Sequence, residues 1–476
     1  MNRKMIAYSL GRMLILEGLL LLLPVMTGII YKEYKVALAF VLVAFFTAFM
    51  GFVCSYKKPK NMKLYAKEGF VIVALAWTVL SLFGALPFYL SGEIPSYIDA
   101  FFETVSGFTT TGSSILNNIE GLTHASLFWR SFSHWVGGMG VLVFVVAIMP
   151  EDNGSSLHIL RAEMPGPIVG KLVSKLKVTA QILYKIYLVM TIIEVILLCV
   201  GGMPLFDSLM TSFGTAGTGG FGIKNTSIAF YDNVYYDVII TIFMFLFGVN
   251  FNLYYFMLLK QFGSVFKNEE LKWYTGIVLG AALLISWNTV ELYGSFLEAF
   301  RYASFQVVSV VTTTGYITAD YGTWPMFSQA ILFILMFMGA SAGSTGGGMK
   351  VSRIMIGVKN AKKELKQLIH PHAVTSIKMD GEIIEDSTVK SISAYFVLYF
   401  LLMFASFLIV SLDNMDFAST LSSVVTCLNN VGPGFNIVGP VGNFSTLSDL
   451  SKLVLSFDML AGRLELFPFM ILFMKK

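Results

Sequence analysis

Apolar positions in this chain fall in long blocks rather than in alternation. After an apolar hairpin over residues 8–55, long apolar segments recur in pairs. The first members lie near 69–91, 178–201, 273–293 and 391–411, and the second near 125–149, 234–262, 325–357 and 449–474. At about 1.5 Å of rise per residue, each can cross the roughly 30 Å of a bilayer core as a helix. Between the members of every pair sits a shorter semi-polar stretch, then a loop rich in Gly, Thr, Ser and Asn. Such a stretch is too short to span. It enters and leaves on one side, as a half-helix with a returning loop.

These four inserts resemble one another. Asp99-Ala-Phe-Phe-Glu-Thr-Val-Ser-Gly-Phe-Thr-Thr-Thr-Gly112 and Tyr302-Ala-Ser-Phe-Gln-Val-Val-Ser-Val-Val-Thr-Thr-Thr-Gly315 match at identical spacing. The stretch Asp207–Gly220 has the same length, and Asp416–Gly432 is three residues longer. The pattern predicts an all-α polytopic membrane protein of four pseudo-symmetric helix–half-helix–loop–helix repeats around a central pore, plus an N-terminal transmembrane hairpin. The expected boundaries are 1–66 for the hairpin, then repeats at 67–160, 161–268, 269–370 and 371–476. Asp99, Asp207 and Asp416 are expected to cap the half-helices.

Composition sharpens this picture. Hydrophobic residues make up 56% of the 476 and charged residues 13%, against about a quarter charged in a soluble domain. Disordered chains, disulfide-stapled modules and soluble enzymes are excluded. A net charge of +4 without a long basic block gives no nucleic-acid signature. Cys54, Cys199 and Cys427 are far apart and form no metal or disulfide motif. The histidines fall at segment ends and inner loops (His124, His134, His158, His370, His372), which speaks against a membrane-embedded enzyme. The N-terminal stretch has no small-residue cleavage site and reads as a retained helix. If the N-terminus is cytoplasmic, all four inserts face outward. That side then keeps only Lys32, Lys35, Arg130, Lys224, Arg301 and Lys452 of the 33 basic residues, with Arg463 inside a span, as the positive-inside rule requires.

A backbone that returns through the membrane leaves carbonyls unpaired unless protein, water or an ion satisfies them. Four Thr/Gly loops around one axis would form rings of carbonyl oxygen able to replace the hydration shell of a monovalent cation. A second Gly-rich stretch, Gly339–Lys350, interrupts the last segment of the third repeat. Met349 stands where a nucleotide P-loop needs Lys, so the stretch reads as a break in a membrane helix lining a wet cavity, or as a passive kink. Arg463 falls near mid-membrane and should face a wet cavity or a partner. Glu17 and Glu194 also lie within spans. The inner segment 350–378 is strongly basic and suits lipid headgroups.

Over nearly its whole length the chain resembles the TrkH family, the membrane subunits of bacterial Trk potassium-uptake systems, within the Trk/Ktr/HKT superfamily. Gly107-Phe-Thr-Thr-Thr-Gly-Ser, Gly219-Gly-Phe-Gly, Thr312-Thr-Thr-Gly-Tyr, Asn429-Asn-Val-Gly-Pro-Gly, Gly339-Ala-Ser-Ala-Gly-Ser-Thr-Gly-Gly-Gly-Met-Lys and Met459-Leu-Ala-Gly-Arg-Leu-Glu carry the resemblance. It implies a K⁺ selectivity filter formed by Thr110, Thr111, Gly112, Thr218, Gly219, Gly220, Thr313, Thr314, Gly315, Asn430, Val431 and Gly432. The one glycine per repeat is Gly112, Gly219 or Gly220, Gly315 and Gly432. It also implies an intramembrane gate at Gly343, Gly346, Gly347, Gly348 and Lys350, with Arg463 as an electrostatic barrier in the pore.

The resemblance further implies a homodimer in a bacterial plasma membrane and a cytoplasmic nucleotide-binding regulatory subunit, TrkA-like, docked near the basic segment. No covalently bound cofactor is implied; K⁺ is the transported ion. Na⁺-permeable or Na⁺-coupled relatives of the KtrB and HKT kind share the fold and stay open as an alternative. A secondary transporter with inverted repeats is a further rival, though the repeats here are direct.

Overall fold

The computed structural model describes residues 2–60, 66–140, 176–372 and 375–473. The expected boundary between the first and second repeats lies outside these residues, as do His158 and the inner end of the first repeat. The N-terminal hairpin pairs α1 (Arg3–Leu20) and α2 (Leu22–Ile30) with α3 (Tyr34–Ser55). Gly11 and Gly51 face each other there: a Cβ on Gly11 would lie 2.6 Å from the Gly51 carbonyl oxygen. Small residues allow this close approach where lipid offers no competing hydrophobic drive.

Each repeat then opens with a long helix: α4 (Ala66–Ser91), α7 (Leu176–Val200), α12 (Glu269–Tyr293) and α16 (Asp386–Val410). The half-helices follow as α5 (Tyr97–Phe108), α8 (Leu205–Gly217), α13 (Phe296–Val311) and α17 (Phe417–Asn429). Of the expected caps only Asp416 is one, accepting from the Ser419 N–H at 3.1 Å. Asp99 and Asp207 sit inside the first turn, behind Ser96 and Pro204. Asp99 instead pairs with Lys452 at 2.6 Å, and Asp207 accepts from the Tyr231 hydroxyl at 2.7 Å.

The second members are interrupted: the break in the third was expected from its Gly-rich stretch, whereas those in the second and fourth depart from the expectation of continuous spans. In the second repeat α9 (Val234–Phe247) and α10 (Phe251–Leu258) meet at 90°. In the third, α14 (Met326–Met336) and α15 (Val351–Ile369) are separated by the Gly-rich stretch. In the fourth, α18 (Asp449–Arg463) stops before α19 (Phe467–Phe473), with Glu465 and Leu466 at positive φ. In the first, α6 (His124–Gly138) is followed by residues that are not described. Six helices among the described residues are long and apolar enough to cross a membrane, and the bent pair makes a seventh.

Packing closes the repeats into a ring. The second half-helix packs on α6 of the first repeat, the third on α9 of the second, the fourth on α14 of the third, and the first on α18 of the fourth. Each half-helix also packs on the following helix of its own repeat. The four C-termini therefore converge on one axis.

Candidate functional site

Every half-helix ends in the same way. Thr110, Thr218, Thr313 and Asn430 adopt the left-handed conformation, with φ of 56°, 54°, 59° and 56°. Their N–H groups bond back to the carbonyls of Gly107, Thr215, Val310 and Cys427. The next N–H of each, from Thr111, Gly219, Thr314 and Val431, reaches Ser106, Gly214, Ser309 and Thr426 at 2.8–2.9 Å. These are four Schellman closures. A left-handed non-glycine residue costs about 1–2 kcal/mol, so four in matched places need support from their surroundings.

Two residues further on, Gly112, Gly220, Gly315 and Gly432 have φ of 82°, 75°, 79° and 100°. This fixes the register that the paired glycines of the second repeat left open: Gly220 corresponds to the other three. The fourth insert also conforms: from N-cap to glycine, Asp416–Gly432, Ser96–Gly112 and Pro204–Gly220 have the same length, so its apparent three-residue excess reflects only that Asp99 and Asp207 lie inside the first turn. The four glycines interlock in order. A Cβ on Gly112 would strike the carbonyl oxygen of Gly219, one on Gly220 that of Thr314, one on Gly315 that of Val431 at 2.5 Å, and one on Gly432 that of Thr111 at 2.8 Å. The last contact returns to the first repeat, so the ring is closed by carbonyl against glycine.

Thr110, Thr111, Thr218, Thr313, Thr314, Asn430 and Val431 are buried. Among the described residues, no N–H or O–H donates to the carbonyls of 110–112, 218–220, 313–315 or 430–431. Buried carbonyls without partners are costly, and the C-terminal ends of four helices add partial negative charge at the same place. Carbonyl oxygens left open in such a ring are chemically able to take the place of water around a cation. On the side away from the Gly-rich stretch, Gly112, Gly220, Gly315 and Gly432 share a vestibule with Ser113, Arg130 and Lys224.

Behind the ring, polar clamps hold the exit strands. Glu103 accepts from the Ile115 N–H at 3.0 Å and pairs with Arg130 at 2.5 Å, both side chains buried. Arg130 also donates to the Gly222 carbonyl at 2.8 Å, joining the first and second repeats. In the third repeat Gln306 occupies the place of Glu103, and its amide oxygen accepts from the Thr318 N–H at 2.8 Å. In the fourth, the Ser422 hydroxyl accepts from the Phe435 N–H at 3.0 Å.

Beneath the ring lies the Gly-rich stretch. Gly343, Gly346, Gly347, Gly348, Lys350 and Arg463 line one cavity together with Gly138 and Glu465. The Gly347 N–H donates to the Thr313 hydroxyl at 2.7 Å, directly under the third closure. Lys350 is buried and donates to the carbonyls of Gly346 and Gly347. Arg463 donates to the carbonyls of Thr345 at 2.8 Å, Gly137 at 2.6 Å and Gly138 at 2.8 Å. It therefore bridges the stretch to the end of α6. Glu270 anchors both ends of the stretch, accepting from Ala342 at 2.7 Å and Ser352 at 3.1 Å. Glu17 and Glu194 are buried away from these contacts.

Several participants were not singled out by the sequence, among them Glu103, Gln306, Glu270 and His134. Glu270 stood at the start of a span with no sign of its loop partners. His134 was placed at a segment end, yet it is wholly buried between the first and second quadrants. Its signal was indirect: Gly219 stands where Thr111 and Thr314 stand in their repeats.

A direct fourfold repeat of helix, half-helix and returning loop around a carbonyl-lined axis defines a class of membrane cation transport proteins. The TrkH family model, described as a cation transport protein, matches residues 34–476. The chain is 36% identical to the Trk system potassium uptake protein TrkH of Salmonella typhimurium, covering 99% of each chain, and equally so to that of Escherichia coli. The crystal structure of the potassium transporter TrkH from Vibrio parahaemolyticus aligns with a TM-score of 0.89 at 34% identity, covering 100% of this chain and 99% of that one. The chain belongs to the TrkH family, a family of ion transporters and not of enzymes.

Proposed function

We propose that this chain is a potassium-uptake protein that conducts K⁺ through the ring of backbone carbonyls at 110–112, 218–220, 313–315 and 430–432. The observation that carries the reading is the closed cycle of carbonyls, all but that of Gly432 without a donor among the described residues, set against four positive-φ glycines. A monovalent cation there exchanges its hydration shell for carbonyl oxygens. The stretch Gly343–Lys350 is the gate, held beneath the ring by Lys350 and Arg463, whose positive charges oppose a cation leaving the ring inward. The likeness to potassium uptake proteins supports K⁺ as the transported ion.

The five units 1–66, 67–160, 161–268, 269–370 and 371–476 are its building blocks. The protein sits in a bacterial plasma membrane with the N-terminus inside, which the basic inner segments favour. It works as a homodimer with a cytoplasmic nucleotide-binding subunit. The basic helix α15, continuous with the gate, suits such a partner as well as lipid headgroups.

The test is rubidium uptake into liposomes holding the purified protein, with K⁺ or Na⁺ as competitor, for wild type and Gly315→Ser. Downhill uptake blocked by K⁺ but not Na⁺, and altered by the substitution, supports the reading. Uptake that requires a Na⁺ gradient moves the chain to a Na⁺-coupled transporter on the same fold.

A further inference from the structure

The second quadrant of the ring is built without the side chains that back the first and third. Behind the first, the hydroxyls of Thr109 and Thr111 pair at 2.8 Å; behind the third, those of Thr312 and Thr314 pair at 2.8 Å. The matching positions of the second quadrant are Gly217 and Gly219, which carry no side chain. The space is filled from another repeat. A Cβ on Gly219 would clash with the imidazole of His134 at its Cγ and Nδ1, and this histidine comes from α6 of the first repeat.

That ring is fixed at both nitrogens. Nδ1 lies 2.7 Å from the Gly107 carbonyl, in the last turn of the first half-helix, and the Phe221 N–H, one residue past Gly220, lies 3.2 Å from Nε2. A carbonyl can only accept and an N–H can only donate, so the two contacts select the neutral tautomer with its proton on Nδ1. The Phe221 ring covers His134 at 4.2 Å between centroids. His134 thus ties the closure of the first quadrant to the exit strand of the second.

We infer that His134 is a positioning residue for ion discrimination, a substitute from the first repeat for the side chain that Gly219 lacks in the second. The inference rests on the carbonyl-ring reading. A coordination sphere distinguishes K⁺ from Na⁺ only while its oxygens are held at their spacing or field strength. In the second quadrant the hold on Gly219 and Gly220 comes from the imidazole. Its loss loosens one quadrant while leaving the ring's covalent chain and the gate intact.

The experiment compares rubidium uptake in liposomes, under K⁺ and Na⁺ competition, for wild type, His134→Ala, His134→Asn, the double variant His134→Ala/Gly219→Thr, and Gly315→Ser as reference. His134→Asn keeps a donor near Nδ1 and leaves the Phe221 N–H unpaired, so it retains most of the packing. Gly219 is not at positive φ, and Gly219→Thr gives the second quadrant the Thr-Thr-Gly of the first and third. Only proteins that elute as a single species in detergent are scored. The expected result is a fall in K⁺-over-Na⁺ discrimination of about tenfold in His134→Asn, the size of one lost buried hydrogen bond, and a larger fall in His134→Ala, which loses both contacts. Rubidium capacity is retained, and the double variant recovers most of the discrimination. Unchanged discrimination in the single variants, while Gly315→Ser alters it, overturns the inference and leaves the carbonyl-ring reading standing. A loss that the double variant does not repair assigns His134 to general packing and overturns it as well. If Gly315→Ser also leaves discrimination unchanged, the carbonyl-ring reading itself fails.

Discussion

The four segments of the ring are near copies of one another, whereas the Gly-rich stretch beneath them occurs in one repeat only. The ring is held by backbone: four identical helix closures, four left-handed residues and glycines that meet the next carbonyl. The stretch below is held by ionic side chains, its own Lys350 and the distant Arg463 on its carbonyls and Glu270 on its N–H groups. The difference teaches what each can do. A backbone cage closed on itself resists change, because moving one segment disturbs both neighbours. A single strand tied by a few charges can be released without touching the cage.

The sharpest way to break this comparison is at the clamp behind the first segment. Glu103→Gln gives the first repeat the residue type of the third, but strands the buried Arg130. Removing one partner of a buried pair costs about 3–5 kcal/mol, to be read as a lower midpoint in thermal unfolding of the detergent-solubilised protein. Next comes the cage itself. Gly432→Ala places a methyl group against the Thr111 carbonyl at positive φ, and rubidium uptake should fall about a hundredfold, the equivalent of roughly 2.7 kcal/mol. A variant with wild-type uptake and selectivity would remove the cage from the mechanism.

The strand below should respond in the opposite sense. Arg463→Ala frees the carbonyls of Thr345, Gly137 and Gly138, and uptake should rise about tenfold in the absence of any regulatory subunit. A fall would make Arg463 a structural tie rather than a barrier. Glu270→Ala leaves two N–H groups without their acceptor and should cost about 1–3 kcal/mol of stability. Glu270→Gln keeps an acceptor oxygen and should cost much less.

The smallest effect is expected at the cap of the fourth half-helix. The Ser419 hydroxyl holds the Asp416 carboxyl below the usual carboxylate range. A carboxyl depressed by folding stabilises above its unfolded pKa and loses that contribution as pH falls through the folded one. Asp416→Ala should therefore cost about 1 kcal/mol at neutral pH, and the gap from wild type should close in strongly acidic buffer.

Much of this architecture was legible because it is written four times. Matched spacing in Asp99–Gly112 and Tyr302–Gly315 exposed the half-helices before any contact was known. Of the breaks in the second members, the Gly-rich one of the third was legible in composition, and those of the second and fourth were not. Residues 234–262 look continuous by hydropathy, since what permits the 90° bend is remote: the Ser341 N–H donates to the Gly248 carbonyl at 3.1 Å, and the Phe251 N–H finds that of Gly343 at 3.0 Å. The register of Gly219 and Gly220 was undecidable for a similar reason, because adjacent glycines are distinguished by backbone angle and not by composition. Capping at Asp99 and Asp207 was misplaced by three residues, since Ser96 and Pro204 end the preceding loops earlier.

The ring's order of contacts has one further consequence. Its four quadrants belong to a single chain, so each can be altered alone. In an assembly of four identical subunits any inherited change is stamped on every quadrant at once, and only changes tolerable in quadruplicate survive. Here a glycine can drift in one quadrant and be answered by a histidine from its neighbour, leaving the other three as they were. The covalent linkage makes the symmetry an option that is exercised locally rather than a constraint that must be obeyed everywhere.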